Sequence, residues 1–350
     1  MASLGWARRP ERGSQLLTRF MAGLALRLGW RVGSALLYPI TAYFFLSSPA
    51  SRAASRRFLT AALGRRPSWG DLFRHHLTFA ATILDRPFLL TGRLSGYDIR
   101  VEGLEHVEDR VAAGQGCILL GAHLGSFEVL RALADRGCPV PVRALMYEEN
   151  AARVNAVLDR LNPGRAAGVI PIGAPAALLR VKEALAAGEL VGLLGDRITF
   201  GDKVVPVDFL GRPAPMPVGP MVLAAVLGAP VILFSGVHRG GRRYDVRFEP
   251  FAERVELGRA DRRRADLAAW VQRYARHLEA AARAHPYNWF NFYDFWNDQD
   301  GASTAGAADL GRQLPAARGH ALRRRRHDTP GRGGRDRHPD GGPVPGPGGP

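Results

Sequence analysis

The chain has 350 residues, two cysteines and a net charge of +16 at pH 7. The positive charge lies at the ends, because the first 70 residues carry +10, the last 50 carry +5 and the 230 residues between them carry +1. A nucleic-acid enzyme carries its basic surface on the folded domain, so this distribution argues against nucleic acid as a partner. Neither Cys117 nor Cys138 stands in a paired motif, and we therefore expect no disulfide scaffold and no metal site.

Residues 1–66 are predicted to be a basic segment associated with a membrane. An uncharged stretch covers Val32–Ser51, between Arg31 and Arg52. Twenty helical residues cover about 30 Å, the thickness of a bilayer core, but Pro39 and several hydroxyl side chains dilute the apolar character of this stretch. It therefore either spans the bilayer or lies in its interface. The alternative is a buried core helix with a solvated basic flank.

Residues 67–300 are interpreted as one α/β domain, because short apolar runs alternate with longer helical patterns. We predict a mixed central sheet flanked by helices, with a helical segment over Ser68–Leu90 packed on the body and a first strand near Tyr97–Val101. The other predicted strands are Cys117–Leu120, Val140–Met146, Val169–Ile172, Leu190–Leu194, Val204–Phe209, Val231–Val237 and Tyr244–Phe248. The other predicted helices are Ser126–Asp135, Ala151–Leu161, Pro175–Ala187, Pro217–Leu227 and Asp261–Ala284.

A histidine and a carboxylate stand five residues apart at a predicted strand-to-helix corner. His123 and Glu128 belong to the sequence GAHLGSFE, which directly follows the apolar run Cys117–Leu120. Imidazole titrates near neutrality, so a carboxylate that holds one ring nitrogen leaves the other free as a general base. Gly125 permits the sharp turn between the two residues. The alternative is a loop histidine followed by a glutamate that the helix dipole favours at a helix start.

Two further groups of residues stand out in the second half of the domain. Asp196 and Arg197 follow the predicted strand Leu190–Leu194, so they are expected at a carboxyl edge of the sheet, where α/β proteins place ligand contacts. The alternative is a structural Asp–Arg pair. The sequence PYNWFNFYDFW at residues 286–296 is too aromatic for a solvent loop. It lines an acyl groove, docks on the bilayer or packs into the core as part of a final helix.

The remaining features are interpreted without catalytic roles. Residues 301–350 are rich in Gly, Pro and Arg and cannot bury a core, so we predict a disordered tail. An electrostatic role on anionic lipid and a translated sequence with no role are the alternatives. His75 and His76 are predicted to lie on a polar helix surface, since no metal-ligand partner stands at the required spacing.

The chain resembles the bacterial lipid A biosynthesis acyltransferase family, within the glycerolipid acyltransferase superfamily, over roughly residues 10–296. The resemblance is carried by the His-X4-acid block at 123–128, the block GDR at 195–197, the stretch VPVDFLG at 205–211 and the closing aromatic run at 286–296. That closing run also resembles a branch associated with aryl-polyene-type pigment clusters. The implied fold is α/β and glycerolipid-acyltransferase-like.

The resemblance implies transfer of an acyl chain from a thioester to a hydroxyl of a membrane-bound lipid, with no cofactor. The donor is expected to be acyl carrier protein loaded with an acyl chain, with acyl-CoA as the alternative. The implied location is the cytoplasmic face of the bacterial inner membrane, as a single-pass or monotopic protein. The partners are therefore the carrier protein, the acceptor lipid and the membrane itself.

The resemblance and the chemistry of the residues together give His123 and Glu128 catalytic roles. His123 takes the proton from the acceptor hydroxyl, and Glu128 orients the imidazole ring and stabilises its protonated form. The backbone N–H groups of Gly125 and Ser126 are expected to receive the oxyanion. A nucleophilic Ser126 is the competing idea, but the sequence Gly-X-Ser-X-Gly is absent.

The matching family blocks imply substrate-binding roles for three further residues. Arg197 is the candidate contact for a phosphate or carboxylate of the acceptor, and Asp196 is expected to position it. Gly211 is expected to shape a substrate-binding loop before the next helix.

One departure from the family pattern bears on the acceptor. Lipid A acyltransferases commonly have Tyr-Arg-Pro after the second strand, whereas this chain has Tyr-Glu-Glu-Asn at 147–150. The positive group is missing, which argues against lipid A itself as acceptor unless Arg143 or Arg153 turns inward. A hydrolase that uses the same dyad on water and a catalytically silent membrane adaptor are the alternative functions.

Overall fold

The computed structural model describes residues 29–130, 142–146, 168–173, 176–199 and 202–296, together with the single residues 23 and 27. Its helices are α1 (Trp30–Ser47), α2 (Pro49–Leu63), α3 (Trp69–Leu90), α4 (Glu105–Ala112), α5 (Ala177–Ala186), α6 (Gly219–Leu227) and α7 (Arg263–Ala284). Its strands are β1 (Asp98–Glu102), β2 (Cys117–Gly121), β3 (Val142–Met146), β4 (Val169–Pro171), β5 (Leu190–Leu194), β6 (Val204–Phe209), β7 (Arg212–Pro217), β8 (Val231–His238) and β9 (Arg243–Ala252).

Seven of the strands form one mixed sheet in the order β1-β9-β8-β2-β5-β3-β4. Neighbouring strands are parallel except for the antiparallel pair β8 and β9. Strand β2 lies in the middle and is buried along its whole length, as expected for a nearly continuous apolar run covered on both faces. The sheet confirms the predicted α/β class. It also places the carboxyl ends of β2 and β5 side by side.

Each face of the sheet is covered by its own apolar cluster. Leu120 and Leu233 point to the face where Val271 of α7 packs. The alternate residues Leu119 and Ile232 point to the opposite face, which α3 covers. This alternation follows from the period of two in strand side chains, and it buries both faces of the central strands. Cys117 is buried as a small core residue, and burial raises the pKa of its thiol to about 12.

A separate antiparallel hairpin consists of β6 and β7. Leu210 and Gly211 connect its strands with φ angles of 54° and 75°, which suits a two-residue turn of the type that hairpin twist favours. Strand β7 was absent from the sequence prediction because its sequence, RPAPMP, is rich in proline. Proline is tolerated here because β7 pairs with only one strand of this two-stranded sheet.

The uncharged stretch near the amino terminus is divided between two helices. Helix α1 ends at Ser47, and α2 begins at Pro49, because proline suits the first turn of a helix but cannot continue the preceding one. The buried residues of α1 recur at one-turn spacing and include Leu37 and Phe45. Within the described ranges, no helix combines the length and the apolar character that a bilayer crossing requires.

Most sequence-predicted elements occur within a few residues of their expected ends. The α3 helix begins after Ser68, whose side chain accepts from the Asp71 N–H in a capping box. Helix α4 was not predicted. The predicted helix over Ala151–Leu161 lies outside the described residues, as do Cys138 and the predicted tail, and only residues 128–130 of the helix expected at Ser126–Asp135 are described as helical.

Candidate active site

His123 lies on a loop that leaves the carboxyl end of β2 and is held by backbone contacts on both sides. Leu124 forms an antiparallel bridge with Trp289, and Gly125 forms a parallel bridge with Gly236. Gly125 has a φ of 79°, and a Cβ placed there would stand 1.9 Å from the Gly236 carbonyl oxygen. Glycine is therefore required by both the backbone angle and the close approach.

Asp196 provides the carboxylate that contacts the His123 ring. It stands just beyond the end of β5, the parallel neighbour of β2, and its side chain is fully buried. The distance from His123 Nδ1 to Asp196 Oδ1 is 2.7 Å. The His123 backbone N–H also donates to this carboxylate, with nitrogen-to-oxygen distances of 3.1 and 3.0 Å. Adjacent strand ends thus bring the base and its partner together.

Two side chains of the closing aromatic run complete the shell around Asp196. Trp289 Nε1 donates to Asp196 Oδ2 over 2.9 Å, and Asn291 Nδ2 donates to the same oxygen over 3.0 Å. Burial acts to raise the pKa of Asp196, but interactions with His123 and Arg197 outweigh it and hold the pKa below the usual range. Asp196 is therefore ionised and acts only as an acceptor.

The protonation of His123 follows from this partner. Because Asp196 can only accept, His123 Nδ1 carries the proton, and Nε2 is left with a lone pair when the ring is neutral. Burial and the nearby charge of Arg197 lower the pKa of His123, while Asp196 opposes that shift. About 27% of the side chain is exposed. The ring is thus a neutral base that a substrate can reach near pH 7.

Glu128 does not occupy the position that the sequence suggested. Its Oε1 lies 3.0 Å from Arg86 Nε, and its Oε2 accepts from the Ser126 hydroxyl over 3.3 Å. The expectation that Glu128 orients the imidazole is corrected by the contact between Asp196 and His123 Nδ1. The physical reason is topological: pairing of β2 with β5 brings to the ring a carboxylate 73 residues away in sequence.

The backbone donors expected to form an oxyanion site are already engaged. The Gly125 N–H donates to the Asn288 carbonyl, and the Ser126 N–H donates to the Gly236 carbonyl, both over 2.8 Å. These bonds are the ones that fix the loop between β8 and the closing run. The predicted oxyanion role of Gly125 and Ser126 is therefore wrong for this conformation, because neither N–H points to an open position.

Arg197 contacts the closing aromatic run. Its Nε donates to Asn291 Oδ1 over 2.8 Å, and an Nη donates to the Phe290 carbonyl over 2.9 Å. These contacts tie the guanidinium to the closing run, and its assignment as the acceptor contact stays a prediction. Gly211 lies in the exposed turn of the β6–β7 hairpin and is not among the residues that the described contacts bring to His123.

The closing aromatic run packs into the core, as one of the alternatives proposed, but it is not a helix. Trp289 is fully buried, and its ring lies 4.8 Å from Phe58 and 5.2 Å from Phe209 between centroids. The run follows α7 as irregular chain. The sequence analysis did not predict that this run donates hydrogen bonds to Asp196. The signal that could have indicated it is the pair of asparagines, Asn288 and Asn291, among aromatic residues.

His75 is buried rather than exposed on a helix surface. Its Nε2 lies 2.9 Å from the Trp289 carbonyl, and its Nδ1 lies 2.8 Å from the Ser55 hydroxyl. A carbonyl can only accept, so Nε2 carries the proton and Nδ1 accepts from Ser55. Burial lowers the pKa of His75 to about 3. This neutral ring connects α2 and α3 to the residue that donates to Asp196.

Arg143, the candidate replacement for the positive group that is absent at 147–150, is paired with Glu189. Arg143 Nε and Nη2 donate to the two Glu189 carboxylate oxygens over 2.6 and 2.8 Å. Arg153 and the sequence at 147–150 lie outside the described residues.

A cavity of about 220 Å³ lies between the sheet and α7. Its wall includes Ala122 and Leu124, the two neighbours of His123, and the apolar side chains Leu233, Phe234 and Leu278. Tyr274, which also lines it, donates its hydroxyl to the Gly121 carbonyl over 2.8 Å. The cavity is therefore built against the same loop that carries the base.

The family model described as bacterial lipid A biosynthesis acyltransferase matches residues 89–298. No curated protein matches the chain. The matched range contains His123, Glu128, Asp196 and the closing aromatic run.

Proposed function

Because the chain belongs to the bacterial lipid A biosynthesis acyltransferase family and is therefore an acyltransferase of lipid biosynthesis, we propose a specific reaction for it. An acyl chain passes from an acyl thioester to a hydroxyl of a lipid acceptor. The donor is acyl carrier protein carrying the chain, with acyl-CoA as the alternative, and no cofactor takes part. The observation that carries this proposal is the 2.7 Å contact between His123 Nδ1 and Asp196.

The chemistry is general base catalysis without a covalent enzyme intermediate. His123 Nε2 takes the proton of the acceptor hydroxyl while its oxygen attacks the thioester carbonyl. Collapse of the tetrahedral intermediate breaks the C–S bond, and the thiolate leaves and takes the proton back from imidazolium. Asp196 holds the ring in the required tautomer and stabilises the charge that forms on it. The cavity beside Ala122 and Leu124 is lined by apolar side chains such as Leu233 and Leu278 together with Arg247 and Glu249, and its apolar wall next to the His123 loop supports an acyl chain as the transferred group.

We place the protein on the cytoplasmic face of the inner membrane as a monotopic protein. Helix α1 exposes several large apolar side chains, including Tyr38, Tyr43 and Leu46, which are 57, 67 and 71% exposed. Arg31 lies in the first turn of α1, and Arg52 of α2 donates to the Leu46 carbonyl near the end of α1. Basic residues beside an amphipathic surface attract anionic lipid. An acceptor that resides in the bilayer would reach the enzyme at such a surface.

Cosedimentation with vesicles of phosphatidylglycerol and phosphatidylethanolamine tests this placement. Tyr43→Glu with Leu46→Glu should reduce vesicle binding at least about tenfold, because two charges replace apolar groups at the interface. Leu179→Glu is the matched control, since Leu179 is 57% exposed on α5. Equal loss in the control, or none in the α1 variant, would contradict an interfacial role for α1.

The reaction is tested by comparing the wild-type protein with His123→Ala, using acyl carrier protein loaded with a radiolabelled acyl chain and total membrane lipid. His123→Ala should lower turnover by roughly 10²–10⁴-fold, the range for loss of a general base. Label in free fatty acid instead of lipid would indicate the hydrolase. Equal turnover of the two proteins at saturating thioester would remove His123 from the mechanism.

Lipid mass spectrometry of cells that express wild type, His123→Ala or neither identifies the acceptor. We expect one acylated lipid to disappear in both the deletion and the His123→Ala strain. An unchanged lipid profile, with His123→Ala still bound to the membrane, would favour the silent adaptor.

A further inference from the structure

A second arginine stands beside the candidate base, and the family match does not include it. Arg86 lies on α3, three residues before the matched range begins. Its Nε lies 3.0 Å from Glu128 Oε1. Because Glu128 also accepts from Ser126 of the His123 loop, this ion pair places Arg86 beside that loop, and its charge acts to lower the pKa of His123.

The two arginines near His123 differ in what their guanidinium groups do. Arg197 uses Nε and an Nη on Asn291 and Phe290. Arg86 is 30% exposed in its side chain, and among the described residues its carboxylate contact is made through Nε. A guanidinium fixed through Nε presents its Nη groups as a fork that suits a phosphate or carboxylate.

Arg86 is fixed in place from both ends. Glu128, only 9% exposed in its side chain, is itself held by the Ser126 hydroxyl. The preceding residue on the helix, Asp85, is buried and accepts hydrogen bonds from Tyr97 and Tyr244, each over 2.7 Å. These contacts hold the helix backbone at Arg86 and the carboxylate that pairs with its guanidinium, which lowers the entropy cost of binding an anion there.

We propose that Arg86, held by Glu128, binds an anionic group of the acceptor amphiphile and so directs acylation to phosphate- or carboxylate-bearing lipids. This inference rests on the proposed function. It assigns to Glu128 a positioning role on Arg86 rather than on His123. It also gives Arg86, on α3, the role of the positive group that is absent at 147–150.

Equilibrium binding tests the proposal without requiring turnover. The probes are 1-oleoylglycerol 3-phosphate and 1-oleoylglycerol, which differ only in the phosphate and are titrated below their critical micelle concentrations. The wild-type protein should bind the phosphate probe about 10- to 100-fold more tightly, the range for charge-assisted hydrogen bonds. Arg86→Gln should remove that preference. Arg100→Gln, at an arginine 70% exposed on β1, should retain it.

Acyl transfer to the same probes distinguishes an effect of Arg86 on acceptor binding from an effect on donor binding. With an acyl N-acetylcysteamine thioester, which has no phosphate, Arg86→Gln should raise the KM for the phosphate acceptor about tenfold or more and leave the KM for 1-oleoylglycerol unchanged. Glu128→Gln should have the same effect to a smaller extent. An effect seen only with the acyl carrier protein donor would place the phosphodiester of the carrier arm at Arg86 and overturn the proposal.

The outcomes distinguish this inference from the proposed function. A phosphate preference that depends on Arg86 in a protein that transfers no acyl chain would support the anion site and reject the function. Acyl transfer with no phosphate or carboxylate preference would reject the anion site alone. Should Arg86→Gln fail to fold, Arg86→Met, which keeps the apolar stem, supports the same comparison.

Discussion

At the scale of single residues, two buried carboxylates compete for the role of partner to His123. Asp196 accepts from the ring, from the His123 backbone N–H, from Trp289 and from Asn291. Glu128 is instead paired with a guanidinium. The number of donors on Asp196 explains why a fully buried carboxyl group stays ionised, since each donated hydrogen bond stabilises the charged form.

Asp196→Asn should reduce turnover more than Glu128→Gln. The amide removes the charge that stabilises imidazolium, so we expect a loss of roughly 10²–10⁴-fold. Initial rates with acyl carrier protein as donor measure both variants, and Asp98→Asn, at an exposed carboxylate, is the control. A larger loss in Glu128→Gln would return the orienting role to Glu128.

The pH dependence of kcat/KM should reflect the lowered pKa of His123. The neutral ring is the active form, so a pKa below the ordinary 6.5 keeps the enzyme active as the pH falls through that value. Removing the Asp196 charge should shift the acidic limb to still lower pH, because that charge opposes the shift. Rates measured between pH 4 and pH 8 test this, and an acidic limb above pH 7 would contradict the assignment.

At the scale of elements, the His123 loop is a point where three segments meet. It joins the end of β2, the end of β8 through Gly236 and the closing run through Asn288. A change in any one of these segments is therefore expected to alter the position of His123.

Gly125→Ala should destabilise the protein more than Gly211→Ala. Both glycines have a φ above 70°, but a Cβ meets the Gly236 carbonyl at the first position and no atom within 4 Å at the second. We expect about 1 kcal/mol for the backbone angle alone and several kcal/mol when the collision is added. Urea unfolding measures the difference, and comparable midpoints would mean that the loop yields without cost. Full activity in Gly211→Ala would also argue against a substrate contact there.

At the scale of the whole molecule, the amino-terminal helices and the catalytic centre form one connected structure. Ser55 of α2 donates to His75 of α3, whose Nε2 donates to the backbone of Trp289, and the indole of Trp289 donates to Asp196. Helices α2 and α3, which follow the exposed apolar helix α1, thus support the carboxylate that contacts His123.

Because His75 is buried and neutral, we expect the free energy of unfolding to fall at acidic pH. Its native pKa of about 3 lies below the unfolded value near 6.5, so the unfolded chain binds more protons and stability rises with pH. The contribution is complete above pH 6.5 and is lost as the pH falls from there towards 3, by at most about 1.4 kcal/mol per pH unit. His75→Gln should flatten the unfolding free energy across this window. Ser55→Ala, which keeps the ring, should lower stability but preserve the slope.

The sequence by itself determined the α/β class and eight of the nine strands, and it identified His123 as the candidate base. The position of a buried strand can be read from an apolar run such as Cys117–Leu120, and the position of a sharp turn from a glycine such as Gly125. Both signals are local, since they depend on neighbouring residues. The family resemblance on the same residues is confirmed by the match over 89–298.

Only the tertiary structure decided which carboxylate meets His123 and which arginine pairs with Glu128. Asp196 and Arg86 reach the loop because β5 pairs with β2 and α3 packs across the sheet, and neither pairing can be read from spacing. Glu128 is closer to His123 in sequence. Asp196 is closer to the His123 ring in space, because the order of the strands in the sheet brings it there. Hydrogen-bond partners of a buried group depend on such non-local packing, which a pattern of residues five apart does not contain.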